Sequence, residues 1–420
     1  MMFKTLSVIG LGYIGLPTAA VFASRKVRVY GVDVNENTVS TINRGGIHIV
    51  EPDLDIIVRA AVTEGYLSAS TKVSAADAFI IAVPTPFKEN HVADLTYIEK
   101  ACQALAPVLE QGNLVILEST SPVGATEKIA EWLAIARPDL TFPQSHGESS
   151  DIRIAHCPER VLPGHVLREL VQNDRVIGGM TPACSAAAVA LYKTFVKGDC
   201  VITNSRTAEM AKLTENSFRD VNIAFANELS MICDKLDINV WELISLANRH
   251  PRVNILQPGA GVGGHCIAVD PWFIVDSCPD QARIIRMARE VNDSKPEWVL
   301  DKVKQQLDVW HKANPDAGRS HAKVAVLGLA FKPDIDDLRE SPALDIALEL
   351  ADTGCQLLIV EPNITALPKQ FSQPEVVLTD VRSALDADII CVLVRHSAFS
   401  VIKPELANHN AVVDAVGLLR

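Results

Sequence analysis

Short runs of apolar and β-branched residues alternate with helical patterns along the first part of the chain. Residues 6–9 and 27–34 predict buried strands, and residues 13–24 between them predict a helix. This alternation is typical of α/β proteins that are built on a parallel sheet. The polar segment 143–151 predicts a loop, and three further apolar runs predict strands at residues 78–83, 113–118 and 152–156.

Residues 205–236 carry almost no helix-breaking residue and predict one long helix. At a rise of ~1.5 Å per residue this helix is about 45 Å long, which is enough to bridge two domains. Residues 313–322 contain Asn314-Pro315 and Gly318 and predict a linker. The α/β pattern then restarts, with a helix at 341–352 and strands at 323–328, 356–360, 388–394 and 411–414.

The chain of 420 residues is too long for a single core, because domains average roughly 150 residues. We predict an α/β fold in which two Rossmann-like doubly wound domains are joined by the long central helix and a helical middle domain. The predicted boundaries place the first doubly wound domain at 1–203, the central helical domain at 204–312 and the second doubly wound domain at 313–420.

Composition excludes several classes of protein. With 48% hydrophobic and 21% charged residues the chain is not disordered, and its net charge of −12 gives no general attraction for nucleic acid or an anionic membrane. No apolar run approaches the roughly 20 residues that span a bilayer. The apolar segment 6–23 is interrupted by Gly10, Gly12 and Gly15 and is not preceded by the charged n-region of a signal peptide, so we expect a cytoplasmic protein.

The nine cysteines include no C-x-x-C pair and no spacing that suits structural zinc. A disulfide framework is not expected for a cytoplasmic protein of this size. Most of these cysteines, such as Cys391 in an apolar strand-like run, are expected to be small buried residues. His265 lies beside Cys266, but adjacent residues seldom bind one metal ion together, so we expect no metal site.

A glycine-rich turn follows the first predicted strand. Gly10-Leu11-Gly12-Tyr13-Ile14-Gly15 is a G-x-G-x-x-G sequence that opens a predicted helix, and Asp33 ends the next strand 18 residues after Gly15. Small residues at this turn let the backbone approach a pyrophosphate at the positive end of the helix. A carboxylate at the end of the second strand binds ribose hydroxyls and repels a 2′-phosphate. The pattern predicts NAD rather than NADP as the cofactor.

Two polar segments, residues 83–86 and 118–124, follow predicted strands at the edge where open α/β sheets bind ligands. Ordinary Pro-rich turns are the alternative interpretation on spacing alone.

The most unusual segment of the chain surrounds one thiol. Gly259, Gly261, Gly263 and Gly264 precede Cys266, and this loop leaves room for a bulky substrate carbon to reach the sulfur. It also predicts backbone N–H groups that are available to an oxyanion. The alternative is a buried thiol next to a glycine-rich turn.

Lys212, Asn216 and Arg219 occupy one face of the long predicted helix, because they lie at positions i, i+4 and i+7. A lysine, an amide and an arginine that face a site suit proton transfer and an anionic sugar nucleotide. A solvated polar stripe is the alternative.

Six motifs in chain order resemble the UDP-glucose/GDP-mannose 6-dehydrogenase family. They are the Gly10–Gly15 turn, Ser119-Thr120-Ser121-Pro122-Val123-Gly124, Cys157-Pro158-Glu159-Arg160, Glu209-x-x-Lys212-x-x-x-Asn216, Gly263-Gly264-x-Cys266-x-x-x-Asp270, and Gly328-x-Ala330-Phe331-Lys332-x-Asp334 with Arg339-Glu340-Ser341. The resemblance covers nearly the whole chain. It implies an NAD-binding first domain, a central dimerisation domain with the cysteine loop and a UDP-sugar-binding last domain.

The resemblance also implies a reaction, in which a primary alcohol at C6 is oxidised to a carboxylate with two NAD and one water. Lys212, or a water held with Asp270, is the implied base for the hydroxyl proton. Cys266 is implied to capture the aldehyde as a thiohemiacetal and to carry the thioester formed next. Glu159, Asp270 and Thr120 are implied to assist its hydrolysis.

Binding residues follow from the same resemblance. The implied cofactor-binding residues are Gly10, Gly12, Tyr13, Ile14, Gly15, Asp33, Thr85, Thr120, Thr126 and Arg339. The implied substrate-binding residues are Arg160, Val161, Lys212, Asn216, Arg219, His250, Arg252, Gly263, Ala330, Phe331 and Lys332. Members of the family supply the His250–Arg252 stretch from a neighbouring subunit, which implies a homodimer or a higher homo-oligomer.

The residues around the thiol bear on the substrate. The glucose branch of the family has an aromatic residue after the cysteine and a lysine before the aspartate, where this chain has Ile267 and Val269. The chain is most similar to members that oxidise UDP-N-acetyl-D-mannosamine, whose product serves enterobacterial common antigen or related surface polysaccharides. UDP-N-acetyl-D-glucosamine is the alternative substrate. A non-catalytic nucleotide-binding protein is the alternative from another class, but it has no use for Cys266 and Lys212 together.

Overall fold

The computed structural model describes residues 3–88, 91–162, 164–264, 266–317 and 321–420. The chain divides into two compact units, Met1–Glu215 and Asn216–Arg420, and each is built on a sheet of its own. Within the described ranges, no helix combines the length and the apolar character that are needed to cross a bilayer.

The first unit is built on an eight-stranded sheet in the order β3-β2-β1-β4-β5-β6-β7-β8. Neighbouring strands run parallel, except that β6 and β7 pair antiparallel. The strands are β1 (Thr5–Ile9), β2 (Arg28–Val32), β3 (Leu67–Ser70), β4 (Ala78–Ile81), β5 (Leu114–Leu117), β6 (Arg153–His156), β7 (Arg175–Gly179) and β8 (Cys200–Asn204). The predicted parallel α/β sheet is confirmed. The strands β7 and β8, and the antiparallel pairing of β6 with β7, were not predicted from the sequence.

Helices of the first unit cover both faces of this sheet, since alternate residues of β4 join different hydrophobic clusters. Ala78 and Ile80 pack with residues of the helix after β1, whereas Phe79 and Ile81 pack with those of the helices on either side of β5. The helices are α1 (Gly15–Ser24), α2 (Glu36–Asn43), α3 (Leu54–Thr63), α4 (Thr96–Leu105), α5 (Ala125–Ala136), α6 (Pro143–His146), α7 (Val166–Gln172) and α8 (Pro182–Tyr192).

The polar segment 143–151 is not the irregular loop that the sequence predicted. It contains α6 and a 3₁₀ turn at Gly147–Ser149. Pro143 stands in the first turn of α6, where its fixed φ suits a helix and its missing N–H costs nothing.

The long central helix is confirmed as α9 (Ser205–Lys235), and the boundary between the two units falls within it. The second unit contains a parallel sheet in the order β11-β10-β9-β12-β13. Its further elements are α10 (Val240–Ala247), α11 (Asp270–Ser277), α12 (Arg283–Ala313), β9 (Lys323–Leu327), α13 (Pro342–Ala351), β10 (Gln356–Val360), β11 (Val376–Leu378), β12 (Ile389–Val392), α14 (Lys403–Leu406) and β13 (Val412–Asp414). The predicted linker 313–322 falls between α12 and β9, and its residues 318–320 lie outside the described ranges.

The first strand of each sheet leads into a glycine with positive φ, at Gly10 (+93°) and Gly328 (+96°). A Cβ at Gly10 would lie 2.5 Å from the carbonyl oxygen of Ala82, and one at Gly328 would lie 2.4 Å from Cβ of Val394. Only glycine fits both the conformation and the space. The repeated strand–turn–helix pattern of the sequence therefore corresponds to two related turns in the structure.

Buried polar side chains join α9 to α12 within the second unit. Arg289 donates to Asp220 at 2.6 Å, and Lys295 donates to Ser230 at 2.6 Å. Between them, Asn227 accepts a hydrogen bond from the N–H of Gly259 at 2.9 Å. Asn227, within this set of contacts between α9 and α12, therefore anchors the start of the cysteine loop at Gly259.

Candidate active site

The glycine-rich turn of the first unit is shaped for a dinucleotide. A Cβ at Gly15 would lie 1.8 Å from the carbonyl oxygen of Gly10, so the turn and the first residue of α1 are in close backbone contact. No atom of the described residues lies within 4 Å of a Cβ at Gly12, so its backbone is open to a ligand. Tyr13 is exposed and Ile14 is half-buried beside it. These residues fit a pyrophosphate at the amino end of α1.

Asp33 follows β2, where the sequence analysis expected it. One carboxylate oxygen accepts the N–H of Leu11 at 3.0 Å, and the other accepts the N–H of Asn35 at 2.9 Å. These bonds fix a half-buried carboxylate against the glycine-rich turn. The arrangement fits the ribose contact that was predicted for NAD.

The segments that follow β4 and β5 are bonded to each other. The hydroxyl of Thr85 donates to the carbonyl oxygen of Thr120 at 2.5 Å, and the hydroxyl of Ser119 donates to that of Val83 at 2.6 Å. The structure therefore brings together Thr85 and Thr120, two residues assigned to the cofactor site.

Thr126 contributes to the same edge differently. It is fully buried, and its hydroxyl and N–H donate to Glu209 at 2.6 and 2.8 Å. Glu209 also accepts the N–H of Gly124 at 2.7 Å, and burial raises the pKa of its carboxyl. Glu209 of α9 thus caps the start of α5, and the hydroxyl of Thr126 serves this cap. Its direct contact with cofactor stays a prediction.

A buried ion-pair cluster lies behind Glu159. Arg175 donates to Glu159 at 3.1 Å and to Glu118 at 3.4 Å, and all three side chains are buried. Glu118 also accepts hydrogen bonds from Tyr192 and Thr18, each at 3.1 Å. Burial raises the pKa of Glu118 to about 7 against the opposing effect of Arg175. One arginine therefore serves two carboxylates.

Cys157 belongs to the same cluster and differs from the thiol of the glycine loop. It is buried beside Arg175, and burial raises the pKa of its thiol to about 12. A thiol that stays protonated is a poor nucleophile, so Cys157 is structural. Six of the nine cysteines are buried, whereas Cys266 and Cys278 are exposed.

The segment that carries Arg160 and Val161 is held at both ends. Arg160 forms an ion pair with Glu215 at 2.7 Å, and Val161 beside it is half-buried. Farther along, Glu51 accepts the N–H groups of Gly164 and Val166 at 2.8 Å each and caps α7. Sequence reasoning missed Glu51 because its partners lie more than one hundred residues away.

The three polar residues of α9 differ in exposure. Lys212 and Asn216 are half-buried, whereas Arg219 is exposed. The amide of Asn216 donates to the buried carboxylate of Asp270, at the start of α11. The structure thus brings together two predicted site residues, Asn216 and Asp270, that are 54 positions apart.

Cys266 is exposed at the end of the glycine loop. Its carbonyl oxygen accepts the N–H groups of Val269 and Asp270 at 3.1 and 2.8 Å, which turns the chain into α11. The nucleophilic role predicted for an accessible thiol is therefore compatible with its position. His265, considered above as a metal ligand, lies outside the described residues.

The glycines before the thiol serve a purpose that the sequence analysis did not anticipate. A Cβ at Gly263 would lie 2.2 Å from the carbonyl oxygen of Glu340, and one at Gly264 would lie 2.9 Å from the ring of Phe331. The N–H of Gly264 already donates to the carbonyl of Glu340 at 3.2 Å. The expectation that these N–H groups are available to an oxyanion is wrong at Gly264, because two loops of the second unit pack backbone to backbone there.

The loop after β9 carries the remaining predicted binding residues. Ala330 is buried, Phe331 is half-buried against Gly264, and Lys332 is exposed. Arg339 is exposed and forms an ion pair with Asp337 at 2.6 Å. The start of this loop is therefore buried, whereas the charged side chains of Lys332 and Arg339 are exposed to solvent.

His250 and Arg252 lie on an exposed turn after α10. The N–H of Arg252 donates to Nδ1 of His250 at 3.3 Å. Their contribution to the site of a neighbouring subunit stays a prediction.

Sequence models of one family match three consecutive parts of the chain. They describe the NAD binding domain, the central domain and the UDP binding domain of the UDP-glucose/GDP-mannose dehydrogenase family, and they match residues 4–196, 206–294 and 325–420.

Known relatives are similar over the full length. A UDP-N-acetyl-D-mannosamine dehydrogenase of Yersinia pestis is 64% identical and covers 100% of both chains. An NDP-N-acetyl-D-galactosaminuronic acid dehydrogenase of Ralstonia nicotianae is 61% identical over 99% of this chain and 96% of its own. A solved UDP-D-ManNAc dehydrogenase from Pyrococcus horikoshii is 36% identical, with a TM-score of 0.85 over 99% of this chain and 96% of that one.

These similarities confirm the resemblance, the α/β fold and the cofactor that the motifs predicted. The chain belongs to the UDP-glucose/GDP-mannose dehydrogenase family and is an NAD-dependent oxidoreductase.

Proposed function

We propose that this chain oxidises UDP-N-acetyl-D-mannosamine at C6 to UDP-N-acetyl-D-mannosaminuronate, a four-electron reaction. The observation that carries the proposal is the exposed thiol of Cys266. Its glycine loop packs against the loop after β9, called the sugar-nucleotide loop here because it carries Ala330, Phe331 and Lys332. The full-length relative from Yersinia pestis, which bears the name of this activity, supports the choice of sugar. The product would serve enterobacterial common antigen or a related surface polysaccharide.

The first oxidation converts the C6 alcohol to an aldehyde. Lys212, or a water held by Asp270, takes the hydroxyl proton as the hydride leaves C6. NAD, held by the Gly10–Gly15 turn and Asp33, supplies the hydride acceptor for each oxidation. Asn216 keeps the carboxylate of Asp270 oriented by its hydrogen bond.

The second oxidation requires a covalent bond to the enzyme. The Cys266 thiolate adds to the aldehyde carbon and forms a thiohemiacetal, which again has a hydrogen on C6 that can leave as hydride. The resulting thioester is hydrolysed by water, with Glu159, Asp270 and Thr120 assisting, and releases the carboxylate and the thiol. The ion pair with Arg175 fixes the carboxylate of Glu159 for this role.

Two other sugars are candidates. The relative from Ralstonia nicotianae is named for an N-acetyl-D-galactosaminuronic acid and is nearly as similar as the mannosamine relative. UDP-N-acetyl-D-glucosamine differs from the proposed substrate only at C2. N-acetyl-D-galactosamine, the parent sugar of that acid, and N-acetyl-D-glucosamine both carry a C6 alcohol, so the same chemistry applies to their UDP derivatives.

We propose at least a homodimer for the active enzyme, in which His250 and Arg252 reach the neighbouring subunit's site. Exposed Phe218, Phe225 and Ile232 recur every seven residues along α9 and form an apolar stripe that suits a second copy of the helix. The NAD-binding, central and UDP-sugar-binding domains at 1–203, 204–312 and 313–420 remain part of this proposal. We also propose a cytoplasmic location, since the buried thiols suit a reducing compartment.

A substrate panel tests the choice of sugar. NADH formation is followed with the UDP derivatives of N-acetyl-D-mannosamine, N-acetyl-D-glucosamine and N-acetyl-D-galactosamine under identical conditions. The proposal predicts the highest kcat/KM with the mannosamine compound. A higher value with either of the other two would keep the chemistry and change the substrate, whereas no NADH with any of them would reject the proposed function.

A further inference from the structure

A buried histidine–glutamate pair lies beneath the sugar-nucleotide loop of the second unit. His396 and Glu361 are almost completely inaccessible to solvent, and Nε2 of His396 lies 2.9 Å from Oε2 of Glu361. Neither residue belongs to the sites described above. A buried polar pair of this kind is costly unless its bonds are satisfied, so its partners indicate its purpose.

Glu361 fixes the start of the loop. Its Oε2 accepts the N–H groups of Leu329 and Ala330 at 2.8 and 3.0 Å, while its Oε1 accepts the N–H of Asn363 at 3.2 Å. Burial opposes the charge on this carboxylate, but the hydrogen bonds from His396 and the loop lower its pKa. The carboxylate is thus fully occupied inside the protein.

His396 fixes the end of the same loop. Its Nδ1 accepts the N–H of Asp334 at 2.9 Å, so the proton of the neutral ring is on Nε2 and is donated to Glu361. The carboxylate of Asp334 accepts the N–H and the hydroxyl of Ser397 at 2.8 and 3.0 Å. One imidazole ring therefore connects both ends of the segment 329–334.

The first unit uses the corresponding acid differently. Asp33 also follows the second strand of its sheet and accepts the N–H after the turn glycine, that of Leu11. It remains half-buried, however, and the backbone of Gly12 beside it is open. Glu361 has a longer side chain, reaches the N–H of Ala330 as well and has no face left for a ribose.

We infer that His396, acting through Glu361, is the positioning residue that holds the segment 329–334 in the shape that binds the nucleoside diphosphate of the substrate. This inference rests on the proposed function, which assigns Ala330, Phe331 and Lys332 of that segment to the sugar nucleotide. His396 touches no ligand itself. Through Glu361 it fixes the N–H groups of Leu329 and Ala330, and directly it fixes the N–H of Asp334, at the two ends of the segment.

Substitutions of His396 can remove its bond to Asp334 and its bond to Glu361 one at a time, because each bond uses a different ring nitrogen. In His396→Asn the side-chain oxygen can replace Nδ1 and keep the bond from Asp334, but the bond to Glu361 is lost. In His396→Gln the side-chain amide can replace Nε2 and keep the bond to Glu361, but the bond from Asp334 is lost. His396→Ala removes both bonds. His409→Gln is the matched control, because the bonds of His409 go to backbone groups of Ala387 and Ala411, outside the segment 329–334.

Calorimetric titration of the full-length protein with UDP measures the effect. We expect Kd for UDP to rise about tenfold in the Asn and Gln variants and further in the Ala variant, with Kd for NADH unchanged and the His409 control equal to wild type. Hydrogen exchange should become faster at residues 329–334 while β9 and β12 remain protected, which shows that the unit is folded. If the Ala variant fails this check, the Asn and Gln variants decide the test.

The titration distinguishes a failure of the proposed function from a failure of the role of His396. Wild-type protein that does not bind UDP would reject the proposed function of the second unit. Wild-type protein that binds UDP, with Asn and Gln variants of the same Kd, would leave the proposed function intact and overturn the role of His396.

Discussion

Arg175 and Glu159 form a buried ion pair in which Nη2 of the guanidinium lies 3.1 Å from Oε2 of the carboxylate. The same guanidinium contacts Glu118 and stacks over the ring of Tyr192, 4.7 Å from its centroid. It therefore joins the strand β7, the segment after β5 and the carboxylate proposed to assist thioester hydrolysis. The position of Glu159 depends on a residue that no motif of the family resemblance included.

Replacing Arg175 by Met should lower the free energy of unfolding by about 3–5 kcal/mol, because two buried carboxylates lose their counter-charge. Denaturant unfolding measures the change. Arg206→Met is the matched control, since its ion pair with Glu127, at 2.7 Å, is exposed and should contribute less than about 1 kcal/mol. Equal small losses in both variants would contradict the assignment of Arg175.

Gly263→Ala should lower kcat/KM about 100-fold, because the new Cβ forces the loop of Cys266 away from Glu340 and small displacements of reacting groups are costly. Steady-state NADH formation measures the loss. Gly259→Ala provides the comparison, since its nearest neighbour would lie 3.8 Å away. Similar activity in both variants would show that the close packing at Gly263 is unimportant.

Cys266→Ser should reduce overall turnover by at least about 1,000-fold and leave NADH binding unchanged, since the second oxidation proceeds through a bond to sulfur. Turnover and NADH fluorescence titration measure the two effects. Cys278→Ser removes the other exposed thiol and should be as active as wild type. Substantial turnover by the Cys266 variant would remove the covalent mechanism.

Lys295 makes stability depend on pH in a specific direction. Burial lowers the pKa of its ammonium group to about 7, although the ring of Trp298, 3.5 Å away, favours the charge. The unfolded chain holds this proton to about pH 10.4, so the cost of the buried charge is complete below pH 7 and is relieved as pH rises. From pH 7 to 9, the free energy of unfolding of wild type should therefore rise relative to Lys295→Met, by up to about 1.4 kcal/mol per pH unit.

Denaturant unfolding at pH 7, 8 and 9 gives this difference. Lys128→Met removes the same charge from the exposed pair with Glu131, at 2.8 Å, and should keep the pH dependence of wild type. A constant difference between wild type and Lys295→Met would show that Lys295 keeps its proton throughout.

The sequence predicted the elements that have a strong local pattern. The strands β4 and β12 are continuous apolar runs, the apolar run of β1 is interrupted only by Ser7, and α9 has no helix-breaking residue. The strand β3, Leu-Ser-Ala-Ser, buries only Leu67 and Ala69 and gives too weak a hydrophobic signal. The direction of β7 depends on the path of the chain, which no local pattern encodes.

The same distinction between local pattern and distant contacts applies to the residues of the candidate site. Residues in compact motifs, such as Asp33 and Cys266, could be predicted from spacing. Arg175, Glu361 and His396 could not, because their roles arise from contacts with residues far away in sequence; Arg175 and Glu118, for example, are 57 positions apart. The glycines before Cys266 were recognised as special, but their close contact with Glu340 required the folded structure.

A double oxidation through one thiol fixes the amount of NADH formed per mole of limiting UDP-N-acetyl-D-mannosamine, and this ratio can be measured directly. Complete conversion by wild-type enzyme in excess NAD should yield two moles of NADH and one mole of the uronate. One mole of NADH, with aldehyde as the product, would contradict the role of Cys266.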